Sequence, residues 1–346
     1  MSTPETQPVA RIDRFTPETP QHAPMGRKTS GPDHGQASTF VLLGFAAVYL
    51  VWGSTYLAIR VGIESFPPLL LAGTRHLVFG LIFYPVLRWK TGIRPTLAHW
   101  RTTTVTGVLL LVVGNGGVCV AEQRVPSGVA ALLVATVSLW MVIVDWLRPG
   151  GTRPVAKVLA GLLLGFSGLA LLVGPKDLGG SGRIDPIGVA ILGVAAFAWA
   201  CGSLYSKHGS MPSSPLLGAT MQSLTGGVVL WITSAATGEL RSLHLAAVSE
   251  RSWLALAYLI CFGSMVGFTA YIYILKHSTA TRVATYAFVN PVVALFLGWL
   301  VLGETITMRT MLAAAVILAA VLLVITAPHR KPAEPMTTAI PDASEA

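Results

Sequence analysis

GNGGVCVAEQRVPSGVAALLVATVSLWMVIVDWLRPGG, residues Gly114–Gly151, decides how the rest of the chain reads. Two apolar runs, each of about 20 residues, flank the short polar break AEQRVPSG, which predicts a transmembrane hairpin. A weaker copy, GFTAYIYILKHSTATRVATYAFVNPVVALFLGWLVLGE, begins at Gly267. At an offset of 153, Gly114, Ala131, Trp146, Leu147, Gly150 and Thr152 meet Gly267, Ala284, Trp299, Leu300, Gly303 and Thr305. The shared hydropathy pattern and a common W-L-x-x-G end carry the match.

The hairpin sits in a chain of 346 residues that is 53% hydrophobic and 11% charged, with a mean hydropathy of +0.66. A soluble domain is roughly 25% charged, so this composition predicts an integral membrane protein. The net charge of +9 implies no nucleic-acid partner, because the basic residues lie mostly between apolar segments, where they set topology. Cys119, Cys201 and Cys261 all fall inside apolar segments, which argues against a disulfide framework and a metal site. No HExxH, Walker A or CxxC pattern is present, so neither a metalloprotease nor a built-in ATPase is indicated, and no cofactor is implied. The polar, Pro-rich start of the chain does not read as a cleavable signal peptide.

Residues 1–38 and 328–346 read as disordered cytoplasmic tails. Between them lie ten candidate spans, at about 40–60, 68–88, 104–122, 127–147, 155–174, 186–206, 215–236, 252–275, 280–302 and 309–327. The segment GPKDLGGSGRIDP, residues 174–186, marks the midpoint, with 175–185 as the linker. With the N-terminus inside, sixteen Lys and Arg fall in cytoplasmic segments and seven in outer ones, which places both termini in the cytoplasm. The early segments recur too. Trp52, Ala72, Leu77 and Gly80 meet Trp199, Ala219, Leu224 and Gly227 at an offset of 147, and six extra residues near Glu239–Arg251 account for the later change of offset. Units of five spans, 39–174 and 186–327, then enter the membrane from opposite faces. The expected fold is therefore an all-α polytopic membrane protein of ten transmembrane helices in two inverted five-helix repeats, an architecture of many secondary transporters.

At WGSTYLAIR (52–60), AEQRVPSGVAALLVATVSLWM (121–141) and VNPVVALFLGWLVLGE (289–304) the chain resembles the EamA branch of the drug/metabolite transporter superfamily, and is most similar to its YedA-like exporters. The resemblance covers both repeats. It implies a central substrate cavity lined by helices one to four and six to nine, with helices five and ten packed outside. It also implies a multi-pass protein of the inner or plasma membrane that exports small metabolites, amino acids or drugs against protons or another coupling ion. Where the family often has Pro in the middle of helix four this chain has Ser138, whose repeat partner is Pro291, so helix four is expected to kink less than helix nine. The first repeat also ends Gly150-Gly151 where the second has Gly303-Glu304.

Arg75, about seven residues into the second span, is the sharpest candidate, because a charge at mid-membrane must face the interior or a water-filled cavity. It could hold an anionic substrate group or a coupling carboxylate, or pin helices as an ion pair. Glu122 is its natural partner, and shares a helical face with Asn115 and Cys119. A buried carboxylate there could exchange protons; alternatively it caps the turn beside Gln123. Asn115 and Asn290 qualify because unpaired amides are costly in hydrocarbon. Aromatic faces that could line a cavity are Trp52 with Tyr56, Thr136 with Trp140, Trp199 with Ser203, Ser264 with Phe268 and Tyr271, and Tyr286 with Asn290. Core packing, lipid contact and interface anchoring are the plain readings of the same aromatics. Glu304 reads as interfacial and Asp145 as a local ion pair with Arg148. Gly161 and Gly165 form a GxxxG face, which serves either a homodimer contact or packing within one chain.

Two other classes compete. Gly165-Phe166-Ser167-Gly168 matches the GxSG of rhomboid-like serine proteases, which would need a His base at Ser167; His76, His208 and His277 are the candidates. A receptor or assembly subunit could share the fold without moving anything. The expected partners are the lipid bilayer, a small-molecule substrate and a coupling ion, and no enzymatic activity is expected.

Overall fold

The computed structural model describes residues 34–149, 154–178, 184–277 and 286–326. Every described element is helical. The long helices are α1 (His34–Gly62), α2 (Pro68–Thr91), α3 (Leu97–Ala121), α4 (Ser127–Leu147), α5 (Ala156–Leu178), α6 (Pro186–His208), α7 (Pro215–Ala236), α8 (250–277), α9 (Tyr286–Leu302) and α10 (Met308–Ile325). Among the described residues seven of them, α1–α4 and α6–α8, contain stretches long and apolar enough to cross a membrane. Shorter apolar stretches lie in the other three, at Ala156–Leu172, Val289–Leu302 and Met308–Val324. α1 begins at His34, inside the stretch read as a tail, and α5 runs to Leu178, into the stretch read as the linker. The tail residues 1–33 and 328–346, the Gly150-Gly151 pair and the start of the ninth span, 280–285, lie outside the described residues.

Local chemistry starts the helices where the breaks in hydropathy place them. Pro68, Pro186 and Pro215 occupy the first turn of α2, α6 and α7, where a missing N–H costs nothing. Side chains of Thr96, Asp185, Ser214, Ser249 and Thr307 accept from backbone N–H groups two or three residues on and cap α3, α6, α7, α8 and α10. Thr91, Thr103, Thr106 and Thr233 return their hydroxyls to carbonyls of the preceding turn, the usual way a hydroxyl is satisfied in an apolar setting.

Two helices depart from α geometry. The middle of α3, Val108–Gly116, and of α8, Leu259–Val266, are π-helical. The wider π turn rotates the following residues relative to an unbroken helix and is frequent at functional sites. α4 is interrupted at Thr136, whose Oγ1 donates to Leu133 O at 2.6 Å while its N–H also turns back three residues to that carbonyl. α9 runs through Pro291 as one described helix. The one-residue break thus falls in α4 at Thr136, where a threonine hydroxyl competes for the backbone, while α9 is continuous through its proline.

The main helix pairs are α2 with α7, α5 with α10, α1 with α8 and α9, α6 with α3 and α4, α4 with α9, and α3 with α7. Adding or subtracting five from each label maps these pairs onto one another, with α3–α7 answered by the packing of α2 on α8. Small residues allow the close approaches. A Cβ at Gly227 would fall 2.6 Å from the Leu77 nitrogen, and one at Gly161 would fall 2.7 Å from Val324 of α10. Gly165 abuts Leu139 and Ala320. The GxxxG face is therefore used inside the chain, between α5, α4 and α10. α5 and α10 pack mainly on each other, and around the bundle a belt of exposed Leu, Ile, Val, Phe and Trp faces outward, as a lipid-facing surface requires.

Candidate functional site

Arg75 and His76 enter the bundle from α2 and are buried, at 6% and 2% exposure. Arg75 Nε donates to Ser264 Oγ at 3.1 Å, in the π segment of α8. Its guanidinium lies against Gly263, where an added Cβ would stand 3.0 Å from Nη2; a side chain there would push the cation away. His76 Nε2 lies 3.2 Å from Asn115 Oδ1, in the π segment of α3. With the amide oxygen as acceptor, Nε2 carries the proton, and Nδ1 is an acceptor with no partner among the described residues. The two π segments thus present Asn115 and Ser264 to neighbouring residues of one helix.

An aromatic wall adjoins this polar pair. Trp52 of α1 donates Nε1–H to Gly263 O at 3.2 Å. Its ring lies 5.7 Å from Phe268, 5.2 Å from Tyr271 and 5.3 Å from Tyr286, with the first and last edge-on. Phe79 of α2 stacks on Phe268 at 5.9 Å. The backbone of Asn290 approaches Gly53 beside Trp52, and Asn290 Oδ1 is buried without a partner among the described residues.

Glu122, at the last turn of α3, is fully buried, and neither carboxylate oxygen has a partner among the described residues. Arg60 Nη1 donates to its backbone carbonyl, not to its carboxylate. Arg60 and Glu304 lie within electrostatic range of that carboxylate, and Tyr56 lies within range of both Glu122 and Tyr286. Beyond it is a hollow of about 310 Å³ lined by residues including Arg60, Glu64, Gln123, Arg124, Val125 and Glu304. Arg75 and Glu122 form no ion pair; the ion pairs among the described residues are Arg124–Asp185 at 2.9 Å and Arg148–Asp145 at 2.6 Å. Arg75 is turned to Ser264 of α8 instead.

Of the residues singled out in the sequence, Trp52, Arg75, Tyr271 and Asn290 gather around Gly53 and Gly263, Asn115 adjoins them through His76, and Tyr56 lies toward Glu122. Trp140 does not join them: it packs edge-on against Phe166 of α5 and Phe197 of α6, at 5.4 and 5.5 Å. Trp199 lies against Gly114 of α3, where a Cβ would meet its ring at 2.8 Å. His76 belongs to this cluster although the sequence marks it only as a candidate protease base; its place beside Arg75 on a mid-membrane turn is the signal for it. Ser167 donates to Leu164 O on the exposed side of α5, while His208 and His277 bond to carbonyls of their own helices and His76 to Asn115. No Ser167–His dyad forms among the described residues.

Outside the spans, Arg124 ties the α3–α4 turn to the start of α6 through Asp185. The Arg124 guanidinium and the Ile187 N–H, both donating to it, hold the Asp185 carboxyl below the usual carboxylate range. A depressed folded-state value stabilises the fold above the ordinary carboxylate range, and that contribution is lost as pH falls through the folded-state value. Thermal unfolding of the detergent-solubilised protein, scanned from neutral pH downward, should therefore show an acid-side loss that Asp185→Asn flattens. An unchanged acid limb in the variant would assign the loss to other carboxylates.

Comparison with known proteins agrees with this architecture. The chain is 39% identical over 301 residues to the uncharacterised inner membrane transporter YedA of Escherichia coli strain K12, covering 86% of this chain and 95% of that protein. It is 27% identical over 279 residues to a probable amino-acid metabolite efflux pump of the same strain, covering 78% of this chain and 90% of the pump. A crystal structure 20% identical in sequence superposes with a TM-score of 0.57, over 83% of this chain and 96% of that one, and shows the same fold. The EamA-like transporter family model matches residues 39–174 and again 186–326, so this membrane protein belongs to the EamA-like transporter family.

Proposed function

We propose that the chain is a secondary transporter that exports small metabolites, amino acids or drugs by alternating access, driven by protons. Two five-helix repeats of opposite orientation, with both termini in the cytoplasm, would form the path. The pairing of helices that survives exchange of the two halves supports the repeat, and five spans per unit makes the second enter inverted. The excess of Lys and Arg in the segments on the side of the termini supports the orientation.

The observation that carries the reading is the set of buried polar atoms without partners. Glu122 Oε1 and Oε2, His76 Nδ1 and Asn290 Oδ1 are all unsatisfied among the described residues. Each such atom in a packed interior costs about 1–3 kcal/mol, and more when charged, unless a ligand, proton or water supplies the missing bond. Arg75 with Ser264 would receive an anionic group, the Trp52–Tyr271–Tyr286 wall a flat or apolar one, and Glu122 the driving proton.

Purified protein in liposomes should accumulate labelled metabolites when an outward-directed proton gradient, acid inside, is imposed, because protons leaving the vesicle drive substrate in. Accumulation that persists after the gradient is collapsed would remove proton coupling. Absence of movement across a broad metabolite panel would favour a receptor or assembly subunit.

A further inference from the structure

Five of the described helices cap their own N-termini, but α2 and α4 cannot, because Pro67 and Pro126 stand at their N-cap positions. Both are capped across the bundle by a carboxylate of another helix. Glu304, just past the end of α9, accepts from Ser127 N at 2.8 Å, Ser127 Oγ at 3.0 Å and Gly128 N at 3.3 Å. Glu239, just past the end of α7, accepts from Leu69 N at 3.2 Å, Leu70 N at 3.0 Å and Ser234 Oγ at 2.8 Å. The positive end of each helix thus faces a fixed negative charge. Left-handed glycines, Gly303 at φ 66° and Gly238 at φ 84°, turn the chain immediately before each carboxylate, a backbone shape that other residues rarely adopt.

Both contacts lie at one end of the bundle, which also holds the Arg60 contact to the Glu122 carbonyl and the bond of Ser252 Oγ to Val61 O at 2.9 Å. Neither carboxylate has a counterpart in the other half. The repeat register sets Gly151 against Glu304, and Glu239 opens the short stretch that the first repeat lacks. An inverted pair with equivalent halves would favour neither face; these two carboxylates weight one end only.

We propose that Glu304 and Glu239 are paired clasps that hold the α3–α4 end of the bundle shut, so that the resting transporter is closed at that end and opens there only when both let go. The proposal rests on the alternating-access reading. Each clasp makes charge-assisted bonds that an opening of α4 from α9, or of α2 from α7, must break. Release of one at a time would let α4 and α2 part from the bundle in sequence.

The test uses the full chain in membranes with Cys119, Cys201 and Cys261 replaced by Ala and a single reporter thiol introduced. Val125→Cys reports the clasped end, since Val125 is 2% exposed and lines the hollow beside Glu304. Phe45→Cys, at a half-buried position packed beside Val48 and Ile274, reports the opposite end. Glu304→Ala should raise maleimide labelling at position 125 on the order of tenfold, the effect of losing charge-assisted bonds. Glu304→Gln and Glu239→Gln, which keep the side-chain size, should each raise it less. Unchanged labelling at position 125 in Glu304→Gln and Glu239→Gln, with folding intact, overturns the clasps. A rise at position 125 without a matching fall at position 45 upholds the clasps and removes alternating access.

Discussion

Arg75→Gln should cut transport by at least about tenfold while the protein still folds and inserts. Arg75 is 6% exposed, and its hydrogen bond goes to a neutral hydroxyl, Ser264 Oγ. No carboxylate is paired with it among the described residues. A buried cation without a counter-ion weakens a fold, and removing it is neutral or stabilising. Glutamine keeps a donor for Ser264 but loses the charge, so the unfolding temperature should hold or rise. A charge-assisted bond to a substrate anion is worth roughly 1.5–3 kcal/mol, so transport should fall by about 10- to 150-fold. Arg75→Lys should recover part of the rate, because the charge returns without the planar fork. A matched fall in stability and transport would make Arg75 a helix pin, and normal transport in Arg75→Gln would remove it from the site.

The broad architecture was legible in hydropathy because a bilayer sets span length so firmly. The fourth and seventh spans, 127–147 and 215–236, coincide with α4 and α7. Arg75 and Glu122 stood out for a related reason: charges in apolar surroundings are rare. Their relationship did not follow. Proximity along antiparallel helices suggested an ion pair, but the π segment of α8 offers Ser264 to Arg75, and hydropathy carries no trace of a π turn. Helical spacing likewise identifies aromatic faces without saying which neighbours they meet, so the Thr136–Trp140 face reads as a candidate cavity wall although Trp140 faces α5 and α6. Glu304 looked interfacial because its partners, Ser127 and Gly128, lie 177 and 176 residues away. The proline that keeps α4 from capping itself was visible at Pro126, and is the signal that could have predicted a capping partner.

Glu122→Gln should separate transport from its driving force. The carboxylate is fully buried and both oxygens lack partners among the described residues, so nothing in the static fold requires it to be charged. Glutamine has nearly the same shape and no charge, and replacing a buried acid by its amide removes any cost of ionising it in place. The variant should therefore be at least as stable as the parent. If Glu122 takes up a proton when open to one side and releases it when open to the other, the amide locks it in the proton-loaded form. Facilitated exchange of substrate between equal compartments should then continue, while gradient-driven accumulation falls to the level seen with the gradient collapsed. The nearby Glu304 sharpens the result: its oxygens are committed to Ser127 and Gly128, so it is a poor substitute carrier at that end of the bundle. Accumulation that still follows the proton gradient in Glu122→Gln would place coupling elsewhere. Loss of exchange and accumulation together would instead make the carboxylate part of the substrate path.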